Sequence, residues 1–366
     1  MFILAYGYLK IKRRYHQERL VAGMRFPWAN SFLLLAVGVL LVSGYLGFTS
    51  GRENERWLLW LHGIGAYTVL LVLFWKGAII LDLYRRKKRW TLRRVAFAFM
   101  AGLLIFTLLT GLLWTFYGPN YLLGFSTITI HIFLALFLFL LLGWHLISYR
   151  WIVKVPEARD RRAFLRTISL AAAGFAAWQL GNLSKRGLVL PGSARRFTGS
   201  YETGSFSPNF PRVSWINDDP APVQTGDWRL LVTGAVARPL AFAYQELLAL
   251  PGVASDVVID CTGGWYSAQS WSGVPFSAIL DLIKPDTEAR SVTFESITGY
   301  TRRFGLEESA GFLLATHVAG DLLSDGHGFP LRLVIPGERG VYWVKWLSRI
   351  TINTGAKYWQ SPLPLQ

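Results

Sequence analysis

Long apolar runs alternate with short polar segments in the first half of the chain. Four runs are long enough to cross a bilayer as helices, which takes about 20 residues. They cover residues 30–49, 57–84, 95–117 and 126–149. A shorter run at residues 167–183, rich in Ala and Gly, predicts a marginal fifth membrane helix.

The pattern changes in the second half, where short strand-like runs alternate with amphipathic segments. The strands predicted there are 229–233, 256–260, 291–295, 312–316, 331–335 and 350–353, and the helices are 244–250 and 276–283. Residues 187–227 are rich in Gly, Ser, Pro and Asn and predict a linker that wraps the next domain. No internal repeat is evident.

These patterns predict a multi-domain fold, with an N-terminal all-α transmembrane helical bundle and a C-terminal α+β domain. The predicted segments follow the composition of the chain. They are a basic N-terminus (1–29), a four-helix membrane domain (30–150), an arginine-rich segment with a fifth helix (151–186), a linker (187–227) and the C-terminal domain (228–366).

Composition and charge support a membrane protein. The chain has 366 residues, of which 52% are hydrophobic and 16% charged, which excludes intrinsic disorder and is unusual for a soluble enzyme. The net charge of +16 arises in residues 1–166, which hold 22 Lys and Arg against 6 Asp and Glu. The basic residues lie in clusters between apolar runs, which is typical of membrane proteins rather than nucleic-acid-binding proteins.

The distribution of positive charge predicts the membrane orientation. Residues 84–94 carry a charge of +7, whereas segments 50–56 and 118–125 are neutral. Because positive loops stay in the cytoplasm, the N-terminus is predicted to be cytoplasmic, and the second and fourth helices run from the outside to the inside. The fifth apolar run then places the C-terminal domain outside, which predicts a periplasmic domain anchored in a bacterial inner membrane.

An arginine pair precedes the fifth apolar run. The segment Arg161-Arg162-Ala163-Phe164-Leu165-Arg166 resembles a twin-arginine export signal, which moves proteins that are already folded. The alternative is a positive flank before a membrane helix. Both interpretations place the C-terminal domain outside the cytoplasm.

Three histidines lie inside the predicted membrane helices, where ionisable residues are functional by default. His62 and His131 each lie five residues into helices that run in the same direction, so their imidazoles lie at matching depth near the outer face. Two facing imidazoles are what six-coordinate haem b requires. Gly63 and Gly65 would make room for a porphyrin, and the alternative is a pair of histidines that only hydrogen-bond between helices.

His145 follows His131 by 14 residues, about four helical turns along nearly the same face. The matching position 14 residues after His62 is Lys76, so the arrangement resembles a four-helix membrane cytochrome b that lacks one of four ligands. The prediction is therefore one haem on His62 and His131. His145 is a possible ligand of a second haem or a group of a quinone site.

The chain has one cysteine, Cys261, which excludes intramolecular disulfides, four-cysteine clusters and a C-x-x-C-H haem attachment. It follows the apolar run at residues 257–260 and precedes Thr262-Gly263-Gly264-Trp265. A lone cysteine is usually a small buried apolar group. At the end of a strand, beside two glycines that let a ligand approach, it could instead bind a soft transition metal.

Residues 228–353 resemble the catalytic domain of the sulfite oxidase-type molybdopterin oxidoreductases. The resemblance rests on an ordered series of motifs across about a third of the chain. The motifs are Val232-Thr233-Gly234, Ala243-Tyr244-Gln245-Glu246-Leu247-Leu248-Ala249-Leu250-Pro251, Asp260-Cys261-Thr262-Gly263-Gly264-Trp265, Trp271-Ser272-Gly273-Val274-Pro275, Gly299-Tyr300-Thr301, Gly326-His327-Gly328-Phe329-Pro330-Leu331-Arg332, Val334-Ile335-Pro336-Gly337, Arg339-Gly340 and Val344-Lys345-Trp346-Leu347.

The resemblance implies roles for individual residues. Cys261 would be the thiolate ligand of molybdenum, beside Gly263 and Gly264. Tyr300 would lie near the metal and donate a hydrogen bond to an oxo ligand or to substrate. The remaining implied contacts to the pterin and its phosphate are His327, Arg332, Arg339 and Lys345.

Two departures from sulfite oxidases bear on the substrate. Trp265-Tyr266 stands where the relatives that oxidise sulfite carry arginines, and Arg302 and Arg303 are either a substitute positive charge or a solvated pair. The chain ends soon after the catalytic domain. In this layout it looks more like the periplasmic methionine sulfoxide reductase catalytic subunits.

The sequence therefore predicts a membrane-bound molybdopterin-dependent oxidoreductase. Its reaction is oxygen-atom transfer, as in sulfoxide or N-oxide reduction, with electrons passing through haem b from the quinone pool. The alternatives are a sulfite-type oxidase that delivers electrons to the membrane, and a non-enzymatic membrane electron carrier.

Overall fold

The computed structural model describes residues 27–85, 92–149, 161–214 and 218–361. The chain divides into two compact units. The first contains the long helices. The second contains the described residues of Ala194–Gln366 together with two segments between helices, Leu46–Arg56 and Tyr117–Thr129. The predicted N-terminal segment lies outside the described residues except for positions 27–29.

Five long helices form in the apolar runs that predict them. They are α1 (Pro27–Thr49), α2 (Trp57–Arg85), α3 (Leu92–Tyr117), α4 (Thr127–Tyr149) and α5 (Arg161–Gly187). In the described part of the chain, four helical stretches are long and apolar enough to cross a membrane: Ser31–Thr49, Glu53–Phe74, Val95–Tyr117 and Thr127–Ile147. Helix α5, predicted as a marginal fifth span, is not among them.

Helix α5 packs closely on α2 because glycines face bulky side chains. A Cβ on Gly63 of α2 would lie 2.6 Å from the indole nitrogen of Trp178. In α5, a Cβ on Gly174 would overlap the hydroxyl of Thr68. The prediction that Gly63 makes room for a porphyrin is therefore wrong, since Trp178 fills that space.

The second unit is an α+β domain built on two sheets. Its strands are β3 (Tyr201–Glu202), β4 (Arg229–Gly234), β5 (Leu240–Ala243), β6 (Val253–Asp260), β7 (Trp265–Pro275), β8 (Ser291–Ser296), β9 (Thr301–Gly305), β10 (Leu313–Val318), β11 (Asp321–Leu322), β12 (Arg332–Val334) and β13 (Leu347–Asn353). One sheet has the order β11-β10-β7-β3, with β12 beside β10 and β6 beside β7, and the other has the order β5-β4-β13-β8-β9.

Short helices and one small hairpin complete the described elements. The helices are α6 (Tyr244–Ala249), α7 (Phe276–Ile283) and α8 (Leu306–Ser309), and the hairpin pairs β1 (Tyr121–Leu122) with β2 (Phe125–Ser126). Fully buried side chains such as Trp271, Phe276 and Phe294 hold the sheets and α7 together in one apolar core. This core fixes the strands whose ends carry the candidate site.

The segment predicted as a linker is part of this domain. Strand β3 pairs in parallel with β7, where Tyr201 lies opposite Trp265. Phe210 is buried in the main core. The last segment of the second unit therefore starts at Ala194, within the predicted linker, rather than at residue 228.

Candidate active site

Cys261 lies in the turn that joins β6 to β7. We call residues 261–264 the Cys261 turn. The amide of Cys261 donates to the carbonyl of Trp265 at 2.9 Å, and the amide of Gly264 donates to the carbonyl of Cys261 at 3.1 Å. Gly264 has a φ of 92°, which glycine adopts without the strain of a side chain. The amide of Gly263 donates to the Cys261 sulfur at 3.3 Å.

A buried carboxylate fixes the base of this turn. Asp260 is 1% exposed and accepts four hydrogen bonds of 2.6–2.7 Å, from Arg196, Thr198, Ser200 and Arg339. Three of these partners come from the segment predicted as a linker. Arg339 also donates to the carbonyl of Cys261 at 3.1 Å.

Arg332 lies in a buried aromatic cage. Its guanidinium group lies 5.3 Å from the ring centre of Trp271 and 5.4 Å from that of Trp343. It donates to the carbonyl of His327 at 2.9 Å, whereas its Nε has no hydrogen-bond partner among the described residues. Burial lowers the pKa of Arg332 to about 9, so it stays charged at neutral pH.

His327 is a neutral, fully engaged imidazole. Its Nε2 donates to the carbonyl of Phe210 at 3.2 Å, and its Nδ1 accepts from the hydroxyl of Ser324 at 3.0 Å. Its ring stacks on that of Phe210 at 3.9 Å. Burial, reinforced by the charge of Arg332, lowers its pKa to about 4. Its predicted contact to the pterin stays a prediction, and the structure shows it supporting Arg332.

Lys345 is a half-buried ammonium group held by oxygen atoms. It donates to the carbonyls of Val213 and Gly326 at 2.9 and 2.7 Å and to the hydroxyl of Ser214 at 2.9 Å. Burial, with repulsion from Arg332, lowers its pKa to about 7. This cation therefore changes its charge near neutral pH.

The Cys261 thiol is electrostatically linked to these cations. Burial raises its pKa, while the Gly263 amide, Arg339 and Lys345 act in the opposite direction. A bound metal ion deprotonates a coordinating thiol outright. A metal ion bound at Cys261 would therefore supply the positive charge that stabilises the thiolate.

The residues present fit a metal-bearing pterin with a phosphate group. The Cys261 thiol is a suitable ligand for a soft metal, and Arg339 and Lys345 interact with it electrostatically. Guanidinium groups also bind phosphate well. The Nε atoms of Arg332 and Arg339 are buried without a hydrogen-bond partner among the described residues. Buried donors of this kind are normally satisfied, so both indicate a missing acceptor.

Comparison with known proteins identifies the domain. Residues 218–359 match the oxidoreductase molybdopterin binding domain. They form a molybdopterin-binding oxidoreductase domain. The prediction from the sequence motifs is thereby confirmed.

Curated relatives match part of this chain. The chain is 29% identical over 179 residues to a nitrate reductase [NADH] of Solanum lycopersicum, covering 39% of this chain and 19% of the relative. It is 29% identical over 145 residues to the protein-methionine-sulfoxide reductase catalytic subunit of Gluconobacter oxydans, covering 34% of this chain and 46% of the relative. It thus spans less than half the length of either protein.

One solved structure matches part of the chain. The sulfane dehydrogenase SoxCD from Paracoccus pantotrophus is 28% identical, with a TM-score of 0.36. The match covers 37% of this chain and 40% of that one.

Tyr300 makes a contact that the sequence does not predict. Its hydroxyl donates to the carbonyl of Val341, and the guanidinium group of Arg302 lies 4.5 Å from its ring centre. This hydroxyl would have to release Val341 before it could donate to an oxo ligand, so the catalytic role of Tyr300 stays a prediction. Arg302 is 2% exposed, so the alternative that Arg302 and Arg303 form a solvated pair is wrong.

In the helical unit, His62 and His131 form what we call the histidine pair. Their ring centres are 6.1 Å apart and their planes are at 86°. Two imidazoles on either side of one metal ion have ring centres roughly 6 Å apart, because each metal–nitrogen bond is near 2 Å. The spacing of the pair therefore fits a single axially bound iron.

The two histidines are supported in the same way. Nδ1 of His62 donates to the carbonyl of Leu40 at 2.9 Å, and Nδ1 of His131 donates to that of Thr107 at 2.8 Å. Metal-bound histidines usually donate their second ring N–H to a carbonyl or carboxylate. Nε2 is thus the nitrogen that each ring would offer to a metal.

Sequence reasoning missed the glycines that contact this pair. A Cβ on Gly44 would lie 2.9 Å from Cε1 of His62, and one on Gly111 would lie 3.0 Å from Cε1 of His131. Each glycine follows a hydroxyl residue, Ser43 or Thr110. A hydroxyl residue followed by glycine inside an apolar helix is therefore the sequence signal that marks both contacts.

His145 is placed differently from the histidine pair. Its ring centre lies 6.4 Å from that of Phe97. It lines a cavity of about 50 Å³ with residues of α3 and α4, including Met100, Leu141 and Trp144. A second haem on His145 stays a prediction, and the side chain of Lys76 lies outside the described residues.

Proposed function

We propose that the chain is a membrane-bound molybdopterin oxidoreductase that transfers oxygen atoms and is coupled through haem b to the quinone pool. The observation that carries the proposal is the Cys261 turn in an oxidoreductase domain. The Gly263 amide donates to the sulfur, Arg339 donates to the carbonyl of Cys261, and Arg332 and Lys345 interact electrostatically with the thiol. Sulfoxides and N-oxides are the proposed substrates, since a relative is named as a methionine sulfoxide reductase.

The protein's own residues would hold and orient the cofactor. Cys261 would ligate the metal, and the buried Nε atoms of Arg332 and Arg339 would donate to the pterin or its phosphate. Asp260 holds the guanidinium group of Arg339, which in turn donates to the carbonyl of Cys261, so it fixes the position of the Cys261 turn. When bound, molybdopterin supplies two-electron chemistry and oxygen-atom exchange.

The proposed haem would be held by the histidine pair. The carbonyls of Leu40 and Thr107 fix the orientation of both rings, so that Nε2 of each can face the iron. A haem b held there would supply one-electron transfer between quinol and the active site. The cavity beside His145, lined by Phe97 and Trp144, is the proposed quinone contact.

The location of the domain is also part of the proposal. Four helices of sufficient length support membrane anchoring. Because four crossings from a cytoplasmic N-terminus return the chain to the cytoplasm, a periplasmic catalytic domain requires that α5 crosses the membrane as well. We propose that the arginine pair directs twin-arginine export. Changing Arg161 and Arg162 together to Lys should then leave the domain protected from protease added to spheroplasts. Exposure of the domain equal to that of wild type would contradict this role.

The central experiment measures molybdenum and haem in purified protein together with turnover. We expect about one molybdenum and one b-type haem per chain, and reduction of methionine sulfoxide or trimethylamine N-oxide. Cys261→Ser should lose molybdenum and turnover but keep the haem spectrum. Protein without molybdenum would favour the non-enzymatic carrier, whereas reduction of the haem by sulfite would favour the oxidase.

A further inference from the structure

The segment Tyr117–Thr129, between α3 and α4, belongs to the same compact unit as the molybdopterin domain. It is an ordered loop rather than a loose connection. Strands β1 and β2 pair within it, and both the amide and the hydroxyl of Thr127 donate to the carbonyl of Asn120, at 2.8 and 2.9 Å. Its last part is therefore fixed in position.

Ser126 links this loop to the Cys261 turn. Its side chain is 8% exposed and its hydroxyl donates to the carbonyl of Gly263 at 3.1 Å. The amide of the same glycine donates to the Cys261 sulfur at 3.3 Å. Gly263 thus connects the predicted metal ligand on one side with Ser126 on the other.

The connection continues by one further hydrogen bond. The hydroxyls of Ser126 and Thr129 are 2.8 Å apart. Because the Ser126 proton is directed at Gly263, Thr129 is the donor in this pair. The path from the Cys261 sulfur therefore runs through Gly263 and Ser126 to Thr129, which stands two positions before His131 in the sequence of α4.

We propose that this path carries electrons from the histidine-bound haem to the metal on Cys261, with Ser126 as its positioning residue. The inference rests on the proposed function. Electrons tunnel more readily through covalent and hydrogen bonds than across gaps of equal length. Ser126 closes a gap between two segments that are 137 residues apart in the chain.

The electron balance sets what the path must carry. Removing oxygen from a sulfoxide takes two electrons and two protons and releases the sulfide and water. A haem iron supplies one electron at each oxidation, and quinol in the membrane replaces it. Two successive single-electron passages through Ser126 and Gly263 are therefore needed for each sulfoxide reduced.

The test compares Ser126→Ala with Thr127→Ala in full-length, cofactor-loaded enzyme. The two hydroxyl residues are neighbours and similarly buried, at 8% and 7% exposed. The Thr127 hydroxyl, however, donates to the carbonyl of Asn120 within the same loop. Haem is reduced, excess reductant is removed, and methionine sulfoxide is added in a stopped-flow instrument. We expect haem reoxidation to be several-fold slower in Ser126→Ala and unchanged in Thr127→Ala.

A second measurement separates electron transfer from damage to the active site. Reduced methyl viologen can deliver electrons without the haem, so turnover with this donor should be the same in Ser126→Ala and wild type. Ser126→Thr, which keeps the hydroxyl, should restore the rate of haem reoxidation. The first-order rate constant of haem reoxidation is compared, because this constant does not depend on the fraction of enzyme that contains molybdenum.

Two results would overturn the inference. One is an unchanged rate of haem reoxidation in Ser126→Ala. The other is an equal loss of haem-linked and viologen-linked turnover or of molybdenum, which would make Ser126 a structural support only. Failure of the proposed function looks different, because wild-type protein would then lack molybdenum or haem or show no reoxidation by sulfoxide.

Discussion

At the scale of single residues, buried charge decides how the Cys261 turn is built. Asp260 lies beside Cys261 and is surrounded by two guanidinium groups and two hydroxyls. The sequence motif places Asp260 next to the cysteine, but its partners Thr198 and Ser200 lie some 60 residues earlier. Such a contact depends on tertiary folding and gives no local pattern that could predict it.

Removing the Asp260 carboxylate should destabilise the catalytic domain. We expect Asp260→Ala to lower its stability by about 3–5 kcal/mol, because the buried Arg339 and the partly buried Arg196 lose their counter-ion. The measurement is thermal unfolding of detergent-purified protein followed by near-ultraviolet circular dichroism. Glu295→Ala is the matched control, since Glu295 pairs with Arg349 at 3.7 Å on the surface and should cost about 0–1 kcal/mol. Equal effects would contradict the anchoring role of Asp260.

Lys345 predicts a pH dependence of cofactor uptake. Its pKa lies at about 7, so the ammonium is charged below this pH and becomes neutral above it. Uptake of molybdopterin by full-length, cofactor-free protein should therefore weaken as pH rises through 7. Lys345→Arg should flatten this dependence relative to wild type, because the guanidinium group stays charged. Parallel pH profiles of bound molybdenum in the two proteins would contradict a contact between Lys345 and the phosphate.

The histidine pair predicts a division among the three membrane histidines. Replacing His62 or His131 with Ala should abolish the b-type spectrum, because an axial ligand of the iron is lost. His145→Ala should keep that spectrum, since His145 lines a separate cavity near Phe97. Loss of haem in the His145 variant alone would contradict the assignment.

At the scale of elements, the apolar runs predict the helices well because burial in lipid or protein needs continuous apolar residues. Strand β7 is not predicted from the sequence, because it lacks a regular apolar pattern. Its inward positions include Ser267 and Gln269, which are fully buried. The Gln269 amide donates to the Ser267 hydroxyl and to the carbonyls of Gly204 and Ser207, in the segment predicted as a linker. A strand with polar residues on its buried face does not show the alternation on which prediction depends.

The packing of α5 on α2 predicts a contrast between two helical glycines. Gly174→Ala should destabilise the helical unit, because the new Cβ overlaps the hydroxyl of Thr68. Gly102→Ala in α3 is the matched control, since nothing lies within 4 Å of that position and alanine favours a helix by about 1 kcal/mol over glycine. Thermal loss of the haem spectrum would rank the two variants. A Gly174 variant as stable as the Gly102 variant would contradict the packing.

At the scale of the whole molecule, the motifs predict the molybdopterin domain because its residues follow one another in order within 126 positions. The division of the chain is less predictable. Segments Leu46–Arg56 and Tyr117–Thr129 cluster with residues far along the chain. Arg52, for example, pairs with Glu338 at 2.6 Å. No local pattern marks such segments, since their composition is that of ordinary connecting loops.

The most direct test of the whole account is reoxidation of the reduced haem by sulfoxide. We predict that methionine sulfoxide added to anaerobic, reduced wild-type enzyme reoxidises the b-type haem, and that Cys261→Ser keeps a reduced haem under the same conditions. A haem that stays reduced in both proteins, or becomes oxidised equally in both, would contradict coupling between the histidine pair and the metal site at Cys261.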